Sequence, residues 1–136
     1  MQTREISAIA YASLQIAHLA GSVVASSLLK LSMVGYLQWL DAACWLAFAV
    51  FSAAAFEQFP RRWLRVIAAV AAFYFLPAGL LLLPYLKLTY LIPPDWRLAS
   101  LSIVVASEQL MKLAIAGLIY VWSVGREGAL STRPAA

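Results

Sequence analysis

The sequence predicts an all-α polytopic membrane protein, a bundle of four transmembrane helices with the N- and C-termini in the cytoplasm. Of its 136 residues, 64% are hydrophobic and 12% are charged, whereas soluble domains average about 45–50% apolar and about 25% charged residues. A fold of this length has too little interior to bury so much apolar surface. The apolar residues also fall into four runs, each near the roughly 20 residues that a helix needs to cross a membrane.

The first predicted span covers residues 6–29 and is the most polar of the four. Small residues that would let another helix approach closely recur at every fourth position: Ser13, Ala17, Gly21 and Ala25. A polar stripe at helical spacing consists of Gln15, His18 and Ser22. Both stripes favour a position against protein. The alternative is three spans with this segment at the membrane interface, but the segment lacks the basic face of an interfacial helix.

The second and third predicted spans cover residues 36–56 and 63–85. The second is rich in alanine and phenylalanine. Asp41, near its start, is expected to form a solvated pair with Lys30 at the outer interface. The third contains Pro77, whose ring nitrogen cannot donate a hydrogen bond to the carbonyl four residues earlier, so we expect a kink there.

The fourth predicted span covers residues 98–124. Residues 1–125 are therefore expected to form one transmembrane domain, and residues 126–136 a short polar cytoplasmic tail. Cytoplasmic loops carry an excess of lysine and arginine. Six basic residues fall on one side of the four spans: Arg4, Arg61, Arg62, Arg65, Arg126 and Arg133. Three fall on the other: Lys30, Lys87 and Arg97. This asymmetry predicts cytoplasmic termini in a multi-pass protein of the cell inner (plasma) membrane.

The strongest functional indication is the presence of Glu108 and Lys112 in the middle of the fourth span. An ionisable side chain at that depth costs about 2.5–3.5 kcal/mol on insertion scales. Four residues of helix rise by about 6 Å, so the two side chains share one face. They should therefore face protein or a water-filled cavity. Two interpretations stay open: a structural ion pair, or a site at which the carboxylate binds and releases a proton or an ion.

His18 and Gln15 are predicted to lie at a depth similar to that of Glu108 and Lys112, because the first and fourth spans run in opposite directions. These four side chains form the predicted binding or coupling site. We expect no cofactor. Haem b bound through His18 is an alternative, but His18 is the only histidine, so a second axial histidine would have to come from a dimer or a partner.

Several chemistries lack their motifs. The single cysteine, Cys44, allows neither an internal disulfide nor a thiolate metal site, and no set of ligands has metal-binding spacing. No glycine-rich phosphate loop occurs. The net charge of +4 comes with no basic patch on a solvated face, so nucleic acid is not an expected partner.

The sequence favours the first of three functions, and the other two are alternatives. The first is a non-catalytic accessory or anchor subunit of a larger inner-membrane complex, since the chain has almost no extramembrane mass and its polar spans favour protein neighbours. The second is a small proton- or ion-coupled transporter that acts as a homo-oligomer through Glu108. The third, a membrane enzyme acting on lipid or quinone, lacks a nucleophile or cofactor motif. The expected partners are membrane lipid and either other membrane subunits or further copies of the chain.

Overall fold

The computed structural model describes residues 3–28 and 33–131, and within them the side chains of residues 3–24, 37–126 and 128. Lys30, Arg133 and the side chain of Ala25, which entered the predictions above, lie outside this part. The described chain is built of helices joined by short turns. Five of these are α-helices: α1 (Thr3–Leu28), α2 (Met33–Ala55), α3 (Arg62–Pro77), α4 (Leu83–Leu88) and α5 (Arg97–Ser131).

Four helical segments are long and apolar enough to cross a membrane: Thr3–Val24, Leu37–Ala55, Arg62–Leu91 and Pro94–Arg126. This finding confirms the all-α class and the four candidate spans. The cytoplasmic termini stay a prediction. At its far end α5 continues to Ser131, into the segment predicted to be a polar tail.

The third candidate span changes helix type along its length. α3 ends at Pro77, and a π-helical turn, Ala78–Leu82, leads into α4. Proline cannot donate to the carbonyl of the preceding turn and its ring clashes with that carbonyl. A wider turn is one way in which a helix accommodates such a break. Pro84, at the start of α4, bounds the π-helical turn on its other side. The disturbance predicted at Pro77 is thus a change of helical winding.

A cluster of aromatic side chains joins α1, α2 and α3. Phe73 is fully buried and stacks on Phe48, with ring centroids 4.1 Å apart. Tyr11 and Trp45 meet Phe73 edge-on at 5.7 and 5.0 Å. Offset-stacked and edge-to-face pairs are the favoured aromatic geometries. The cluster therefore sets how the three helices rotate against each other, and hence which polar side chains face inward.

A second aromatic contact ties the α2–α3 turn to α5. Phe59 stacks on Trp122 with ring centroids 4.8 Å apart, and Phe56 meets the same indole at 5.7 Å. The turn closes through Arg61, whose backbone is left-handed at φ 58°, a conformation that is uncommon for residues other than glycine. Its carbonyl accepts the N–H of Arg65 at 3.2 Å. α3 therefore starts directly after the turn and close to α5.

Candidate functional site

A polar cavity of about 300 Å³ lies between α1, α2 and α5. Its lining side chains in the described part of the chain are His18, Leu37, Gln38, Asp41, Val105, Glu108, Gln109 and Lys112. The residues from α5 are Val105, Glu108, Gln109 and Lys112. Their spacing of three, one and three positions puts them on one helix face. The α2 positions likewise lie within about one turn of each other. Three helices that are otherwise apolar thus turn polar faces toward one space.

Glu108 and Lys112 both line this polar cavity, but they are not joined directly. Among the described residues, no carboxylate oxygen of Glu108 lies within the 4.0 Å of the Lys112 ammonium that would make an ion pair. The Lys112 side chain is buried, with 8% of its surface exposed. Its Nζ lies 5.1 Å from the ring centroid of Phe73 and 5.9 Å from that of Trp45. Cation–π attraction to these rings holds the ammonium.

His18 faces Asp41 across the polar cavity. Its Nε2 lies 3.9 Å from Oδ1 of Asp41, and the two side chains are 13% and 42% exposed. This separation is longer than a direct hydrogen bond and is compatible with one bridging water. The Nδ1 of His18 is buried and has no hydrogen-bond partner among the described residues. Nε2 is therefore the ring nitrogen that faces Asp41, on the side that a ligand or water in the cavity would meet.

Asp41 also lines the polar cavity, although it was not among the predicted site residues. It was expected at the outer interface beside Lys30, which lies outside the described residues. In the structure its carboxylate faces His18, and the pair with Lys30 stays a prediction. The sequence feature that could have identified Asp41 as a site residue is the presence of a carboxylate inside the second apolar run. Gln38 and Gln109 were also missed, and Gln109 holds α5 to α1 by donating from Nε2 to Oγ of Ser22 at 3.0 Å.

Gln15 does not line the polar cavity. It is buried, with 1% of its surface exposed, and within the described part of the chain neither its Oε1 nor its Nε2 has a hydrogen-bond partner. The hydroxyl of Tyr11, one helical turn away, is likewise buried and unpartnered. Of the four predicted site residues, three therefore meet in the cavity. Gln15 lies about one helical turn before His18 on α1, outside the lining of the polar cavity.

The charge of the polar cavity is negative. The two carboxylates of Asp41 and Glu108 and the one ammonium of Lys112 sum to −1 when His18 is neutral. In surroundings of low dielectric, such an imbalance attracts a cation or a proton more strongly than in water. The described residues hold no group of three or more His, Cys, Asp or Glu side chains placed to bind a metal ion. Comparison with models of protein families, with curated proteins and with solved structures finds no match to the chain.

Proposed function

We propose that the protein is a small integral membrane protein that binds a proton or a small cation in the polar cavity and works as a proton- or ion-coupled transporter. One observation carries this proposal: Asp41, Glu108, Lys112 and His18 converge from three helices on one cavity. Ionisable side chains inside a membrane are rare, face protein or water, and are characteristic of ion and proton pathways. An inert bundle of apolar helices would not need four of them.

The position of Lys112 supports ligand binding over simple ion pairing. Its ammonium lies over the rings of Phe73 and Trp45 and therefore does not occupy the Glu108 carboxylate. The ammonium offsets one of the two negative charges, and the remaining one is offset when a proton or a monovalent cation binds. The site can thus alternate between a formal charge of −1 and zero. An uncompensated charge is costly in apolar surroundings, so binding of a proton or a monovalent cation is favoured.

The size of the polar cavity fits this role. Its volume of about 300 Å³ equals the lower end of the range of small-molecule sites, about 300–1,000 Å³. A partly hydrated ion or a small amine therefore has room, and the amides of Gln38 and Gln109 can serve as neutral ligands or hydrogen-bond partners.

Association with another helix is supported by the outer surface of α1. Ser13 and Ala17 are exposed, whereas Gly21, in the same four-residue repeat, is only partly exposed and packs near α2. Exposed small residues four positions apart are typical of faces where transmembrane helices pack together. In the proposed transporter, this face would join copies of the chain into a homo-oligomer.

The same face favours a second candidate, the accessory or anchor subunit of a larger inner-membrane complex, in which α1 would contact a different protein. The two candidates differ in what the purified chain does alone. A transporter moves ions without other subunits, whereas an accessory subunit does not. The third candidate is a membrane enzyme acting on lipid or quinone. No nucleophile or cofactor site identified among the described residues supports it.

Transport is tested by reconstituting the purified protein into lipid vesicles and following internal pH with a dye while a potassium diffusion potential drives protons. The wild type should carry protons, or sodium ions when sodium is the driven ion and a sodium-sensitive dye replaces the pH dye. Glu108→Gln and Asp41→Asn should each lower the flux by about tenfold or more, since each removes the excess charge.

The matched control is Glu57→Gln, which changes an exposed carboxylate in the α2–α3 turn and should leave the flux unchanged. Absence of flux in the wild type, or equal flux in all four proteins, contradicts the transporter. Other membrane proteins that co-purify in mild detergent, combined with no flux, would support the accessory subunit.

A further inference from the structure

A second cavity, of about 600 Å³, lies between α3 and α5 and shares no lining residue with the polar cavity. It has ten lining residues in the described part of the chain, and of these only Arg65 is charged. The rest are apolar or aromatic, including Ala68, Ala72 and Leu76 on α3 and Trp122 on α5. This apolar groove matches an occupant that is apolar along most of its length and anionic at one end.

The shape of the apolar groove follows from side-chain size along α3. Arg65, Ala68, Ala72 and Leu76 are spaced by three or four residues, so they lie on one helix face. The alanines leave a trough that larger side chains would fill. From Arg65 to Leu76 the helix rises by about 16 Å, at about 1.5 Å per residue. This is about half of the roughly 30 Å hydrocarbon core of a bilayer, which is the depth that one lipid leaflet occupies.

The charged end of the apolar groove carries three arginines within five residues. Arg65 lies against two rings, with its Cζ 5.2 Å from the centroid of Phe59 and 5.0 Å from that of Trp122. Arg61 is exposed one turn earlier. Nε of the neighbouring Arg62 is buried and finds no hydrogen-bond partner among the residues that the structure describes. Within the described part of the chain, no carboxylate lies within 4.0 Å of these guanidinium groups. Their charges are therefore available to an external anion.

We propose that the apolar groove binds one anionic phospholipid, with an acyl chain along Ala68 and Ala72 and the phosphate at Arg65 and Arg61. Guanidinium groups bind phosphate through paired, charge-assisted hydrogen bonds. The rings on Arg65 hold its side chain in place before the lipid arrives, which lowers the entropy lost on binding. The site depends on membrane insertion of the bundle and not on the role of the polar cavity.

The experiment is lipid binding to the purified full chain in mild detergent, measured by native mass spectrometry. The two probes are phosphatidylglycerol and phosphatidylcholine with identical acyl chains. Both carry a phosphate, but the choline cation of the second is repelled by the arginines. The wild type should bind phosphatidylglycerol about tenfold more tightly, because only phosphatidylcholine brings a second cation against the arginines.

Two variants separate the two halves of the site. Arg65→Gln should abolish most of the preference for phosphatidylglycerol, and Ala72→Leu should weaken binding of both lipids by filling the trough. Lys87→Gln removes an exposed positive charge on α4, at the other end of the third candidate span. It should change the binding of neither lipid. Equal binding of the two lipids by the wild type overturns the proposal without any variant. So does an Arg65→Gln variant that behaves like Lys87→Gln.

Discussion

Replacement of Phe73 by alanine should be among the most destabilising single changes in the bundle. Phe73 is fully buried and contacts three other rings, those of Tyr11, Trp45 and Phe48. It also lies under the ammonium of Lys112, 5.1 Å away. The change Phe73→Ala removes all four contacts and leaves an empty space between α1, α2 and α3.

The magnitude follows from these contacts. Each aromatic pair contributes about 0.5–1.5 kcal/mol, and a cation–π contact about 0.5–2 kcal/mol. Phe→Ala changes in packed interiors cost about 3–5 kcal/mol. Lipid is as apolar as the side chain, so loss of water exclusion adds little here. We therefore expect the free energy of unfolding to fall by about 3 kcal/mol.

The assay is unfolding in mixed detergent micelles by increasing fractions of sodium dodecyl sulfate, followed by tryptophan fluorescence and circular dichroism. Phe75→Ala is the matched control, because Phe75 lies on the same helix and is 66% exposed. It should lose at most about 1.5 kcal/mol, the upper value for the one ring contact, with Tyr74, that Phe75 makes among the described residues. Equal losses for the two variants would refute the inference that the aromatic cluster organises the helices.

Three further changes have expected outcomes. A β-carbon at Gly21 would lie 3.0 Å from Cδ2 of Leu37, so Gly21→Val should cost about 1–3 kcal/mol in the same unfolding assay; Gly117→Val, with open space around its β-carbon, should be near neutral. Gln15→Leu should leave stability unchanged or raise it, because both amide atoms are buried without partners; a loss above about 1 kcal/mol would contradict this. Lys112→Met makes the polar cavity more negative, so cation binding measured by calorimetry should become tighter. Weaker binding would contradict the role of Lys112 in offsetting one of the two negative charges.

The elements of the bundle were predictable because a membrane-crossing helix leaves a long apolar run in the sequence, and four such runs are present. The disturbance of the helix at Pro77 was also predictable, because proline lacks the backbone N–H that a helix interior uses. The π-helical form of the turn that follows was not predictable, because it depends on how the neighbouring helices pack.

The composition of the polar cavity was only partly predictable. Glu108, Lys112 and His18 were identified because ionisable groups stand out in apolar runs. Asp41 was assigned to the interface because it lies near the start of its run and beside Trp39, which is itself 80% exposed.

The direction of the Lys112 side chain could not be derived from its i, i+4 spacing to Glu108. That spacing allows an ion pair, but the rings of Phe73 and Trp45 come from two other helices. Their approach depends on helix rotation, which local sequence does not specify. The same limit applies to Gln15, which shares a helix face with His18 and nevertheless lies outside the polar cavity.

The central claim is that the carboxylates of the polar cavity bind a proton or a cation, and infrared difference spectroscopy tests it most directly. Spectra of the purified protein are recorded across a pH step and across addition of sodium ions. A carboxyl band that changes in the wild type, disappears in Glu108→Gln and persists in Glu57→Gln is the predicted result. Spectra of Glu108→Gln identical to those of the wild type under both conditions would contradict the claim.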